Sequence, residues 1–358
     1  MSRRGRLAGT VAVVLGLAAA ICVGVGLSGA SYEQAGPTGE MAERDNLKQA
    51  VTALFDKSDF GGLERLASYY RGSGARTPSG FWQLTVFYGA IHDLAAGIGR
   101  DDDKGWQQLS AKLADWQGRY PGKPTALMAQ AIALKSYAWS MRPRYLVLEA
   151  STRADAKFRA ALGNARDFMA RNMPALSVDP HAYVLRADLA TALGEAPDDL
   201  MSVIDEGRAK YPGYFALDFS GLDYFAVGDG SQAIGPAAAT RIEAFAGTAA
   251  QRAGAESDER YARLYWHAYA AFYGNDLFKR SRVNWSRMRS GMQALIAHYP
   301  DAWNINSFAY LACLAGDRET TRTLVARLSE RPILAVWQAR PVFSACRQWA
   351  SLDVSVRR

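Results

Sequence analysis

Tyr-Pro recurs in this chain at Tyr120-Pro121, Tyr211-Pro212 and Tyr299-Pro300, each time at the end of a helix-forming run. Proline cannot continue the preceding helix but is tolerated in the first turn of the next one. Two further prolines set a period: Pro180 and Pro212 lie 32 residues apart, and so do Pro300 and Pro332. Each pair encloses a helical run, a glycine turn (Leu193-Gly194, then Ala315-Gly316-Asp317) and a second helical run. A helix pair of this length cannot bury its apolar face alone and must stack on its neighbours. The fold class expected is therefore all-α, built from helical hairpins.

The rest of the chain agrees. Alanine is abundant, β-branched runs are short after the first thirty residues, and no alternating stretch signals a sheet. Helices are expected at about 44–56, 60–71, 79–98, 104–118, 125–139, 149–172, 181–193, 197–210, 214–226, 236–252, 257–273, 282–298, 303–315, 317–329 and 338–349. Asp101-Asp102-Asp103 reads as a solvated helix start, where acids meet the positive end of the dipole. Hydrophobic residues make up 49% of the 358, enough for a sizeable core, and 22% charged residues are too few for a disordered or coiled-coil chain.

These repeats resemble the tetratricopeptide-like class. Pro180 and Pro300 stand like its inter-repeat proline, Trp303 like its early first-helix aromatic, and Gly194 and Gly316 near its turn. The usual glycine within the first helix is absent from both units. Over roughly residues 45–350 the chain is also similar to an uncharacterised family of bacterial exported or membrane-associated helical-repeat proteins. Asp59-Phe60 with Leu63, Phe81-Trp82, Tyr137 to Arg142, Val283-Asn284-Trp285, Asn306 to Asp317, Trp337, Cys346 and Trp349 carry that similarity. The resemblance implies an antiparallel helical-hairpin solenoid and no known activity.

At the N-terminus, Arg3, Arg4 and Arg6 precede an uncharged stretch from Leu7 to Ala30. Its length as a helix, roughly 36 Å, is enough to cross a hydrocarbon core, with the arginines on the cytoplasmic side. Residues 1–30 are thus expected to be a signal peptide or a single transmembrane anchor, and residues 31–43 a linker. A repeat domain over 44–350 and a polar tail over 351–358 complete the organisation. The expected location is the bacterial inner membrane, single-pass through residues 7–30 with a periplasmic or other extracytoplasmic domain. The alternative is release to the periplasm after cleavage near Ala30. The same three arginines supply three of the seven net positive charges, so the basic balance is poor support for nucleic-acid binding, and no nucleic-acid partner is expected. Outside the cytoplasm Cys313 and Cys346 can form a disulfide worth about 3–4 kcal/mol on a chain-entropy estimate; two buried thiols are the competing reading.

Two segments are candidate binding surfaces. Lys279, Arg280, Arg282, Arg287 and Arg289 are interleaved with Trp285, and Arg142 and Arg144 lie beside Trp139 and Tyr145. Arginine next to an aromatic suits a carboxylate or phosphate partner. A solvated helix face with structural salt bridges accounts for the first segment more simply, as the helix C-terminal dipole does for the second. The residues chosen as binding candidates are Arg280, Arg282, Trp285, Arg287, Arg142 and Arg144. The aromatic run Tyr261, Tyr265, Trp266, Tyr269, Phe272 and Tyr273 is expected to pack, as is His267, and Asp188 to lie on a solvated face.

Catalytic signatures are sparse. The four histidines are far apart, and neither a phosphate-binding glycine loop nor a serine elbow is present. No catalytic residue, metal or cofactor is assigned. The function expected is a non-enzymatic scaffold or interaction protein presenting a groove to a protein, peptide or cell-envelope component. The alternatives are an envelope enzyme acting on a polymer and a capture module for an anionic small ligand.

Overall fold

A computed structural model describes residues 39–142, 151–227, 234–328 and 332–352. Among them the chain is all-α, with no strand and one isolated bridge, between Arg76 and Trp82. The helices run α1 (Gly39–Asp56), α2 (Phe60–Ser73), α3 (Gln83–Ala96), α4 (Asp103–Arg119), α5 (Pro124–Ser140) and α6 (Ser151–Leu176). Then come α7 (Pro180–Leu193), α8 (Pro197–Lys210), α9 (Ala216–Val227), α10 (Pro236–Arg252), α11 (Ser257–Ala268) and α12 (Leu277–Arg280). The last five are α13 (Trp285–His298), α14 (Ala302–Leu314), α15 (Arg318–Val325), α16 (Leu334–Trp337) and α17 (Arg340–Ser351).

Local chemistry explains the boundaries. Asp59, Asp102, Asp179, Asn284, Asp301 and Asp317 cap α2, α4, α7, α13, α14 and α15, each side chain accepting a backbone N–H of the first turn. Such caps are worth about 1 kcal/mol each. The turns expected at Gly194 and Gly316 are made by those glycines at φ 69° and 74°, a region that other residues enter at a cost. Helices α8 and α10 span the expected residues, whereas α1 starts at Gly39, inside the stretch expected to be linker. The run expected at 257–273 changes character after Ala268, where Tyr269–Tyr273 form a π-helical turn.

Helices α5, α7, α9 and α14 bury residues on almost every side, while α4, α8 and α13 bury single stripes such as Leu109, Leu113 and Trp116. Packing follows a closed circuit: α1 against α3, then α5, α7, α9, α11, α13 and α14, which returns to α1. The segment 74–82 ties this circuit together. Trp82 Nε1 donates to the Gly213 carbonyl just before α9 (2.8 Å), Asn304 Nδ2 of α14 donates to the Ser79 carbonyl (3.2 Å), and Ser79 N donates to Glu40 of α1 (2.7 Å). The tightest helix pair is α11 with α13, and Gly291 permits it: a Cβ there would run into the backbone carbonyl of Asp258. Cys313 of α14 is bonded to Cys346 of α17, with Cα atoms 5.9 Å apart.

One expectation is corrected. Among the described residues no helix is long and apolar enough to cross a membrane. Residues 7–30, to which membrane contact was assigned, lie outside the described residues, as do the linker before Gly39 and the tail after Leu352. The transmembrane and signal-peptide assignment, the membrane partner and the single-pass inner-membrane location are therefore not carried forward.

Candidate functional site

The first hairpin carries a groove. From α1 it is lined by Ala50, Ala53 and Leu54, from the turn that follows by Lys57 and the capping Asp59, and from α2 by Gly62, Arg65, Leu66 and Tyr69. Both sets follow helical spacing, so each is one continuous stripe, and the stripes face each other across the hairpin. Small side chains at Ala50, Ala53 and Gly62 leave a shallow, open depression of about 610 Å³. A Cβ at Gly62 would press on the side-chain ends of Leu54 and the capping Asp59.

The rim is chemically distinct from the floor. Lys57 and Arg65 are exposed, and the Asp59 carboxylate is engaged with Gly62 N at 2.8 Å. Tyr69, at 62% exposure, is the most exposed large hydrophobic side chain among the described residues and stands beside Tyr70 with ring centroids 5.6 Å apart.

The residues expected from sequence to bind are placed elsewhere, and several are already engaged. Arg287 donates to Asp258 (3.1 Å) and Ser257 (2.9 Å), and its guanidinium lies 4.4 Å from the Tyr261 ring centre. Trp285 Nε1 and Arg289 both reach Asp317 Oδ2, at 3.0 and 3.2 Å. Burial raises the Asp317 carboxyl, but hydrogen bonds from Thr320, Trp285 and Arg289 outweigh it and hold the group below its usual range. Arg280 donates to the Ile234 carbonyl (3.1 Å), and Arg282 is exposed. Arg142 is exposed with its guanidinium 5.0 Å from the Trp139 ring centre, whereas Arg144 lies outside the described residues.

A buried ionic cluster was missed. Lys135 of α5 pairs with Asp188 of α7, which also accepts from Ser220 of α9 at 2.7 Å. Asp223 of α9 meets His267 of α11 at 2.5 Å, and the imidazole stacks on Phe219 at 4.6 Å. Thus four neighbouring helices each contribute one titratable side chain, all at most 8% exposed. Burial raises the Asp223 carboxyl, with the Asp188 charge adding to it and His267 and Lys135 opposing. Asp188, expected on a solvated face, is 5% exposed, and the signal that would have found it is that α7 is apolar all round. Among the described residues no three His, Cys, Asp or Glu side chains converge as metal ligands.

No protein-family model matches this chain, and neither the curated proteins nor the solved structures give a match.

Proposed function

We propose that this chain is a non-enzymatic interaction protein, a solenoid of tetratricopeptide-like antiparallel hairpins, that seats one acidic amphipathic helix of a partner protein in the α1–α2 groove. The observation that carries the reading is the groove itself: two helical stripes with a small-residue floor, two exposed cations and an exposed tyrosine. Each hairpin of a repeat array buries its faces against neighbouring hairpins. The partner helix takes the place of such a neighbour on this face of the first hairpin, with apolar residues at i, i+3, i+4 and i+7 on the floor. Its carboxylates meet Lys57 and Arg65, which steer association and fix register more than they add affinity.

The test uses defined probes. Two synthetic helical peptides share one apolar stripe and differ only in acidic or basic flanks, and a photoreactive phenylalanine replaces Tyr69 or, as a control, the exposed Tyr137 of α5. Crosslinking of the acidic peptide from position 69 and not from position 137 is the expected result. Equal crosslinking from both positions, or none from position 69, removes the reading.

A further inference from the structure

Three guanidinium groups converge on one ring. The Cζ atoms of Arg263, Arg76 and Arg260 lie 4.6, 5.5 and 5.8 Å from the ring centre of Phe215, the residue just before α9. None of the three belongs to the α1–α2 groove. Arg76 and its neighbour Trp82, stacked at 3.9 Å, come from the segment that ties α1, α9 and α14 together.

Carboxylates do not balance them. Asp218, 1% exposed, is shared between Arg260 and Arg208, the latter at 2.6 Å. Glu259 takes Arg263 through Nε and Nη2 (3.0 and 2.9 Å) and also takes His298 Nδ1 (3.0 Å). The one hydrogen bond of Arg76 is to the Gly213 carbonyl, at 3.4 Å, and it has no carboxylate partner among the described residues. Burial, helped by the charges of Arg263 and Arg260, pushes its guanidinium down to about 10, against weaker opposing effects of Tyr299 and exposed Glu256.

A second observation points to a ligand. Arg263 is 4% exposed, and its Nη1 has no hydrogen-bond partner. A buried guanidinium N–H without an acceptor is costly, the more so when the group is charged. The positive end of the α9 dipole lies beside Phe215 and adds to the same field. Arg76 itself is half-buried.

We propose that Arg76 and Arg263, beside Phe215, form a binding site for one small oxyanion, a carboxylate or a phosphate. The planar fork of arginine matches either group with paired N–H donors. Arg260, held on Asp218 and the Pro212 carbonyl, supplies field and not a contact. Phe215 provides a low-dielectric wall against which the charge pairing is strengthened.

Thermal unfolding of the full chain tests this, with inorganic phosphate, acetate and chloride titrated separately at matched ionic strength. The expected result is a saturable rise in Tm with phosphate or acetate and none with chloride; which of the two acts identifies the oxyanion. Arg76→Gln weakens that binding at least tenfold, and Arg76→Lys restores part of it. Circular dichroism confirms that both variants fold, and both bind the acidic peptide at the α1–α2 groove as the parent does, which separates this site from that one. A Tm rise of equal size in the parent and in Arg76→Gln, or no saturable effect of either oxyanion, overturns the proposal.

Discussion

Nε2 of His267 lies 2.5 Å from Oδ1 of Asp223, and the two side chains are 6% and 3% exposed. This contact joins α11 to α9 in the same way that Lys135 joins α5 to Asp188 of α7. Buried charges are costly to leave alone, and removing one partner of such a pair costs about 3–5 kcal/mol. His267→Leu is therefore expected to lose about that much in urea unfolding. The double variant His267→Leu/Asp223→Asn recovers part of it, because no carboxylate is left uncompensated. Additive losses in the double variant would show that the two groups do not interact.

His181 contributes to the acid limb of stability. It stacks on Tyr88 at 4.8 Å, its Nδ1 sits 2.9 Å from the Tyr214 hydroxyl, and burial lowers its pKa to about 4. The unfolded chain has the ordinary value near 6.5, so the unfolded state binds the proton first as pH falls. The contribution is fully present above about pH 6.5 and is lost as pH drops toward 4, at no more than about 1.4 kcal/mol per unit. The residue keeps some solvent contact, which points to a total on the order of 2 kcal/mol. Unfolding measured between pH 7 and 4 should flatten in His181→Gln; an unchanged slope would place the acid sensitivity elsewhere.

Gly291→Ala is expected to disrupt the α11–α13 contact. Its added methyl meets the Asp258 carbonyl, a backbone atom that cannot rotate aside. Overpacking of this kind typically costs about 1–3 kcal/mol, and here the upper end is expected. Gly247→Ala is the control: that helical site has open space around its Cβ, and the exchange should be neutral or slightly stabilising. Equal Tm values for the two variants would refute the close-packing argument.

The Cys313–Cys346 bond closes 33 residues of sequence and fastens α17 to α14. Reduction with a dithiol should lower stability by about 3–4 kcal/mol on the chain-entropy estimate. Paired urea titrations with and without reductant measure it, and mass spectrometry of non-reduced peptides should find the two cysteines linked. Coincident titrations would contradict the estimate.

Much of the helix layout was legible because it depends on local chemistry. Proline and glycine punctuate α7, α8, α14 and α15 whatever surrounds them, and the aspartate caps act within one turn. Burial was less legible. Asp188 and Lys135 look like solvated residues in sequence, and they are buried because α5 is packed among α2, α3, α4, α6 and α7, and α7 among α3, α5, α6, α8 and α9. The basic run 279–289 drew attention by composition, yet Arg287 and Arg289 are paired with Asp258 and Asp317, which lie 29 and 28 residues away. The groove went unseen for the opposite reason. Ala50, Ala53 and Gly62 carry no chemistry of their own and matter only as the space between α1 and α2.

Reversing the charge of the α1–α2 groove tests whether it binds an acidic helix. Binding of the acidic-flanked and basic-flanked peptides is measured by titration calorimetry to the parent chain and to Lys57→Glu/Arg65→Glu. Both side chains are exposed, so the exchange leaves the core intact. The parent should prefer the acidic peptide and the variant the basic one, a swap of at least tenfold each way. If neither chain distinguishes the two peptides, or if the preference persists unchanged in the variant, the groove is not the binding surface.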